Sequence, residues 1–388
     1  MKILLVSESY WPNADGGALF ERRLVQGLIG RGHQVQVWAP GRKFRSYEQH
    51  DGKSLIHRER AVTFFFNPKY KASFVPATHT RQVFNSAKAD IVHIHNPFML
   101  GRTSMRYARR HDVPVVATNH LMPENFLLNL KGIKFLYGRL HTFYWHWLVR
   151  FHNKATFVTT PTPTALSFLK KYGLKTPAEA VTNGVDTDIF KPRTKSVKTL
   201  QKYKIPSDKP IVLYVGRVDG EKRLDILLKS MPHVLKNTTA HLVICGSGIA
   251  MDRLKNLAQK LNIQSSVTFT GYIDEADKPL IYNSANLFAI SSPAELQSIV
   301  TLEAMASGLP VVSVDVAALH ELVHNNANGY LFTENNSGMM AEKITEILKS
   351  PDRADKFGKA SREIVVKNHS NTAMLNKYEN IFQKVVAK

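Results

Sequence analysis

Glu295 and Glu303 lie eight positions apart in "PAELQSIVTLEAMASGLPVV" (residues 293–312), two acids in a chain of formal net charge +21. The apolar run "NLFAISS" before them reads as a strand, "PAELQS" as a loop, and "IVTLEAMASG" as a helix that exits at Gly308 ahead of Pro310. Glu295 then sits at a sheet's carboxyl edge and Glu303 one to two turns into the helix. Between them the backbone N–H groups of Gln297, Ser298, Ile299 and Val300 open the helix, where an anion is favoured. Hydroxyl acceptors on either side of a phosphate cradle match the three parts of a sugar nucleotide in order. The acids are on this reading recognition groups, not an acid/base pair. A structural reading instead makes Glu295 a capping residue and Glu303 part of a solvated face.

Other strand ends favour the first reading. In "YVGRVDGEKRLDILLKSM" Arg217 and Lys222 occupy the loop after a strand, where open α/β sheets bind ligands. A forked guanidinium beside a point charge suits a diphosphate. "CGSGIAMDRL" adds Gly246 and Gly248 at another strand end. Gly16 and Gly17 stand between the strand "KILLVSES" and a helix carrying Leu19, Leu24, Leu28 and Ile29, and paired glycines there let a bound group approach the backbone. Singly, these are solvated charges or tight turns; together, at strand ends, they point to a ligand. No metal is expected, because the pairs His93/His95 and His141/His146 lack an accompanying set of acids or cysteines.

The elements that must position these residues alternate. The runs "KILLVSES", "QVQVWAP", "IVHIH", "VPVVATNH" and "ATFVTTP", then "PIVLYVGR", "HLVICGSG", "VTFTGYI", "NLFAISS" and "LPVVSVD", read as strands separated by helical patterns. That order implies parallel sheets covered on both faces. At 388 residues and 44% hydrophobic composition the chain holds two domains, and the basic, proline-containing "KPRTKSVKTLQKYKIPSDKP" (191–210) reads as the linker. The lone Cys245, in "HLVICGSG", reads as a buried thiol in a reducing compartment. The start is too short in apolar residues for a secretory signal, and no run approaches the ~20 apolar residues of a membrane span.

These motifs resemble the GT-B glycosyltransferases, specifically the retaining family 4. The resemblance rests on the Gly16-Gly17 turn, "TNH" (118–120), "NGVDTDIFKP", "VGRVDGEK", "VTFTGYI", and the E-x7-E signature from Glu295 to Glu303 continuing as "EAMASGLPVV". It is closest in character to the diacylglycerol and phosphatidylinositol glycosyltransferases. It implies an α/β fold of two Rossmann-like domains with parallel sheets facing a central cleft. The expected divisions are 1–190 for the acceptor, 191–365 for the nucleotide-sugar, and 366–388 as a helix crossing back to the first domain. The resemblance further implies Arg217 and Lys222 on the diphosphate, Glu303 on the ribose, Glu295 and the following amides on the donor sugar, His120 beside the transferred sugar, and Gly271 and Ile273 bordering the base. Asp186 and Asp188 of "NGVDTDIFKP" resemble a metal motif of another glycosyltransferase fold but fall in the hinge region. The family needs no metal or cofactor, only a UDP- or GDP-linked sugar. It retains anomeric configuration, and its usual Phe-Gly-Leu is replaced here by Gln297, Ser298 and Ile299, which puts the donor sugar's identity in question.

The acceptor is approached through charge. Residues 1–190 hold 26 Lys and Arg against 12 Asp and Glu, and between Glu124 and Glu179 there is no acid among 54 residues, but eight Lys or Arg and eleven aromatics. Such a surface attracts anionic lipid or polyphosphate. On a helical wheel of residues 133–151, "IKFLYGRLHTFYWHWLVRF", Ile133, Leu136, Tyr137, Leu140, Phe143, Tyr144, Trp147, Leu148 and Phe151 share an apolar face. Lys134, Arg139 and Arg150 lie opposite, and Trp145 falls on that polar side. With Lys131, these are the membrane and acceptor candidates, and the expected place is the cytoplasmic face of the cell membrane. Core packing of the apolar face is compatible with lipid contact by the other. A soluble or polysaccharide acceptor is the alternative; a sugar-nucleotide epimerase is opposed by the transferase motifs. Nucleic acid is not an expected partner, since a basic pI comes here with no recognised binding motif.

Overall fold

The computed structural model of the chain describes residues 1–12, 16–42, 44–64, 67–73, 75–123 and 137–387. They form two compact units: the first contains residues up to Pro123, those from 137 to Asn183 and the C-terminal stretch from Asn371, and the second runs from Gly184 to Ser370. The first unit thus closes seven residues before the boundary expected from the sequence, and the return begins at residue 371 rather than 366.

The first unit holds strands β1 (Lys2–Val6), β2 (Gln34–Pro40), β3 (Tyr47–Asp51), β4 (Ser54–Glu59), β5 (Ala61–Phe64), β6 (Asn67–Ser73), β7 (Ile91–Ile94), β8 (Val115–Thr118), β9 (Phe157–Thr160) and β10 (Ala178–Ala180). Eight form one sheet in the order β10-β9-β8-β7-β1-β2-β4-β3, while β5 and β6 pair as a separate hairpin. All neighbours in the large sheet are parallel except β3 on β4. Leu4, Leu5 and Val6 of central β1 are fully buried because helices cover both faces of a parallel sheet. Strand order reverses between β1 and β7, so the carboxyl ends of those two strands flank a switch point. The C-terminal helix Asn371–Val386 inserts Met374, Tyr378, Ile381 and Phe382 into the core around Ile3, Leu5, Phe20 and Leu24. It lies so close to the first helix, Gly16–Gly30, that a Cβ on Gly27 would stand 2.6 Å from Leu375 Cδ1.

The second unit is a six-stranded sheet of β11 (Ile211–Val215), β12 (His241–Cys245), β13 (Val267–Gly271), β14 (Leu287–Ile290), β15 (Val311–Val314) and β16 (Gly329–Phe332). Its order is β13-β12-β11-β14-β15-β16, parallel throughout, with the switch point between β11 and β14. The stretch 191–210 is not a free linker. Ser196 caps a short helix, Val197–Lys202, and Leu200 and Ile205 are buried in this unit's core, an apolar pair diluted in the sequence by surrounding lysines.

Candidate functional site

At the switch point of the second unit, the loops after β11 and β14 are laced together. Ser291 Oγ donates to the carbonyls of Lys222 (3.2 Å) and Arg223 (2.8 Å), and Lys222 Nζ lies 2.7 Å from Glu295 Oε1. The sequence assigned that lysine and that acid to different parts of a ligand; in the structure they are paired with each other, both about seven-eighths buried. Arg217 is half exposed and held by Asp219 and Glu221 of its own loop, the latter at 2.6 Å. Beside this cluster the ends of β11, β12 and β13 carry no side chains. Gly216, Gly246 and Gly271 all have positive φ, and a Cβ on Gly246 would stand 1.8 Å from the Gly216 carbonyl oxygen. At Gly246 the bare backbone lets the ends of β11 and β12 pack directly on each other, whereas at Gly271 nothing stands within 4 Å of where a Cβ would lie.

The helix of the signature runs Ile299–Ala306, as its pattern implies, because Ser298 Oγ accepts from Thr301 N at 3.3 Å and Gly308, at φ +82°, ends it. Ser298 itself has φ −83°, so the backbone does not require the glycine that the family pattern has at this place. Gln297 and Ser298 are buried, while Ile299 and Val300 are half-buried. Glu303 is not on a solvated face: it is 3% exposed, and both its oxygens are engaged, Oε1 by Lys278 Nζ (3.1 Å) and Oε2 by the Tyr282 hydroxyl (3.0 Å). Burial pulls Lys278's proton affinity down, but Glu303 and Glu275 more than offset it, leaving its pKa above the usual lysine value. Lys278 and Tyr282 escaped the sequence reading, since nothing in "DKPLIY" marks either as a partner of a glutamate 25 or 21 positions away. Ile273 is buried beyond Gly271.

In the first unit, Gly16 and Gly17 are the first two residues of their helix, which also carries Phe20 and Glu21 inward. His120 follows β8 and His95 follows β7, and their rings meet edge to edge with centroids 5.5 Å apart and planes 5° from parallel. His95 Nδ1 is 3.3 Å from His120 Nε2 and 3.8 Å from Glu21 Oε1. Burial, then the neighbouring His152, pulls His120 down to about 4; burial lowers His93 to about 3, and His95 well below its ordinary value. All three rings are therefore neutral near pH 7.

Residues 197–364 match the family described as Glycosyl transferases group 1, and residues 14–189 match Glycosyltransferase Family 4. The chain belongs to the family 4 glycosyltransferases. It is 27% identical to an alpha-monoglucosyldiacylglycerol synthase of Streptococcus pneumoniae, over all of this chain and 89% of that one. With a GDP-mannose-dependent alpha-mannosyltransferase of Mycobacterium tuberculosis it shares 28% identity, over 85% and 83% of the two chains. Among solved structures, sucrose-phosphate synthase of Thermosynechococcus elongatus superposes with a TM-score of 0.81 at 21% identity, covering 99% of each chain. The fold is GT-B, two parallel-sheet α/β units.

In this glycosyltransferase the membrane candidates divide. Lys131 and Lys134 lie outside the described residues. Arg139 and Arg150 are exposed on the helix Tyr137–His152. Trp145 is corrected: it is 1% exposed, stacked on Tyr172 at 5.5 Å with planes 6° apart, and its indole N–H donates to His141 Nε2. Phe143, assigned to the apolar face, is 69% exposed instead. Leu148 and Phe151 of the expected face are buried, but Trp145 is turned inward as well, because the helix packs on Phe168 of the helix Pro163–Lys171 and on Tyr172, partners that the helix's own periodicity does not reveal. Asp186 Oδ1 accepts from the amides of Asp188 (3.0 Å) and Ile189 (2.9 Å), a turn-forming role. Among the described residues no group of three or more His, Cys, Asp or Glu could hold a metal, and no helix is long and apolar enough to cross a membrane.

Proposed function

We propose that this glycosyltransferase moves a hexose from a UDP- or GDP-linked sugar to a hydroxyl of a membrane lipid, with retention, forming an α-glycosidic bond. The observation that carries the reading is the pairing of Lys222 with Glu295 across the switch point, at strand ends where Gly216, Gly246 and Gly271 follow or close β11, β12 and β13. On binding, the diphosphate takes Lys222 and Arg217 as counter-charges, which frees Glu295 to accept from sugar hydroxyls; Gly271 and Ile273 border the base, and Glu303 receives the ribose. No metal or cofactor is needed, because the two cations neutralise the leaving group. His120 keeps the role that the family resemblance assigns it, next to the transferred sugar. The bond from the anomeric carbon to the diphosphate breaks, the acceptor oxygen bonds on the same face, and its proton passes to the departing phosphate oxygen.

Two observations support a lipid acceptor at the cytoplasmic membrane face. One is the similarity to an alpha-monoglucosyldiacylglycerol synthase. The other is a basic surface: Arg106, Arg109 and Arg110 of the helix Met99–Arg110 are exposed, as are Arg139, Phe143 and Arg150, and none of these arginines has an acid partner among the described residues. Arg102 lies over the Trp147 ring at 4.8 Å, joining the two helices. Unpaired guanidinium groups around an exposed ring fit an anionic bilayer surface.

The test is mass-spectrometric detection of sugar transfer from a panel of UDP- and GDP-sugars to diacylglycerol or phosphatidylinositol vesicles, comparing wild type with Glu295→Ala. A glycolipid formed by the wild type alone is the expected result. Donor turnover without lipid modification moves the acceptor to the soluble or polysaccharide class.

A further inference from the structure

The edge-to-edge contact of His95 with His120 raises a question of proton placement. Two neutral imidazoles whose Nδ1 and Nε2 lie 3.3 Å apart share one hydrogen, so one nitrogen donates and the other accepts. Which one donates decides what His120 shows a ligand. If His95 donates from Nδ1, His120 accepts at Nε2 and must carry its own hydrogen on Nδ1. If His120 donates from Nε2, its Nδ1 is a bare lone pair.

Two independent features place the hydrogen on His95 Nδ1. His95 is fully buried, and its other nitrogen, Nε2, meets no hydrogen-bond partner. A buried N–H without an acceptor is rarer and costlier than a buried lone pair without a donor, so Nε2 is the nitrogen to leave bare. At Nδ1, the Glu21 carboxylate stands 3.8 Å away, where it attracts an N–H and repels a lone pair. Phe20 closes the pocket edge-on to both rings, at 5.8 Å from His95 and 5.0 Å from His120. The His120 Nδ1 atom is engaged by none of the described residues, and the residue is half-buried, not enclosed.

We propose that Glu21 and His95 are positioning residues that hold His120 in its Nδ1–H tautomer, so that it presents a hydrogen-bond donor to an oxygen of the bound sugar nucleotide. The proposal rests on the reading of this chain as a sugar-nucleotide transferase, because that reading supplies the oxygen. It links three elements: the glycine-led first helix through Glu21, the end of β7 through His95, and the end of β8 through His120.

The experiment is long-range 1H–15N correlation on the 15N-histidine-labelled full chain at pH 7.5, with the His120 signals assigned by their loss in His120→Asn. A pyrrole-type Nδ1 and pyridine-type Nε2 at His120 are expected, and the reverse pattern in wild type overturns the proposal. Glu21→Gln, which keeps shape and removes charge, and His95→Leu, which removes the donor, are each expected to raise the Nε2–H population. An unchanged His120 spectrum in both variants overturns the relay. In the transfer assay both variants are expected to lose kcat at least about tenfold with a smaller change in donor KM, because the bond from His120 strengthens as charge develops on the oxygen, and a tautomer shift with full kcat overturns its catalytic use. If wild type transfers sugar from no donor, the functional reading fails, while the spectra still decide the tautomer.

Discussion

At the scale of single residues, the site depends on charges kept out of water in pairs. Lys278 and Tyr282 together occupy both oxygens of Glu303, which leaves each oxygen one free lone-pair direction for a ligand hydroxyl. Lys278→Met is therefore expected to do two things. It strands a buried carboxylate, costing about 3–5 kcal/mol of stability in urea titration, and it weakens nucleotide binding by calorimetry because the carboxylate loses its orientation. Tyr282→Phe removes one neutral donor and costs less, about 1–3 kcal/mol. If Lys278→Met unfolds at the wild-type urea midpoint, the pair does not hold Glu303. The Lys222–Glu295 pair differs in kind, since a ligand exchanges both partners.

At the scale of elements, the helix Tyr137–His152 separates packing from surface function. Trp145 fills the space between this helix and Pro163–Lys171, while Phe143 projects outward between the exposed Arg139 and Arg150. Trp145→Ala is expected to cost about 3–5 kcal/mol by leaving a cavity, with retention on vesicles falling only through lost fold. Phe143→Ala is expected to leave stability within about 0.5 kcal/mol and to lower co-sedimentation with phosphatidylglycerol vesicles. Equal vesicle binding by Phe143→Ala and wild type would remove this helix from the membrane face.

At the scale of the whole chain, the two units differ in their response to acid. The first encloses His93, His95 and His152, each almost fully buried and each with its proton affinity depressed, to about 3 for His93 and about 4 for His152, chiefly by burial. A histidine depressed in this way stabilises the fold above its unfolded pKa of about 6.5 and loses that contribution as pH falls. Between pH 7 and 5 His93 and His152 each cost about 2 kcal/mol, and His95 acts in the same direction. Glu8, pushed up to about 7 by burial, works in the opposite sense but offsets only about one histidine. The second unit has His241, lowered to about 4, as its comparable group. Hydrogen exchange at pH 7 and pH 5 is expected to show protection lost first in β1, β7, β8 and β9, with β11, β12 and β14 lagging. Simultaneous loss in both units would contradict this.

Apolar strand runs, helix caps and strand-end glycines act through near neighbours along the chain, so the sequence alone determined the two α/β units, the helix begun by Ser298 and ended at Gly308, and the loop positions of Arg217, Lys222 and Glu295. The strands β3, β4 and β10 were not legible, nor were the hairpin β5–β6 and the edge strand β16: β3, β4 and β10 sit toward the margins of their sheet, where the half-polar sequences "YEQHD", "SLIHRE" and "AEA" lack a continuous apolar run. Tertiary structure decided which face of the Trp145 helix is buried, that Glu303 is enclosed by Lys278 and Tyr282, that Lys222 meets Glu295, and that Glu21, His95 and His120 form one chain of contacts. Each of these joins residues far apart in sequence, and distance through space between strand ends is a property of sheet order, which no local pattern encodes.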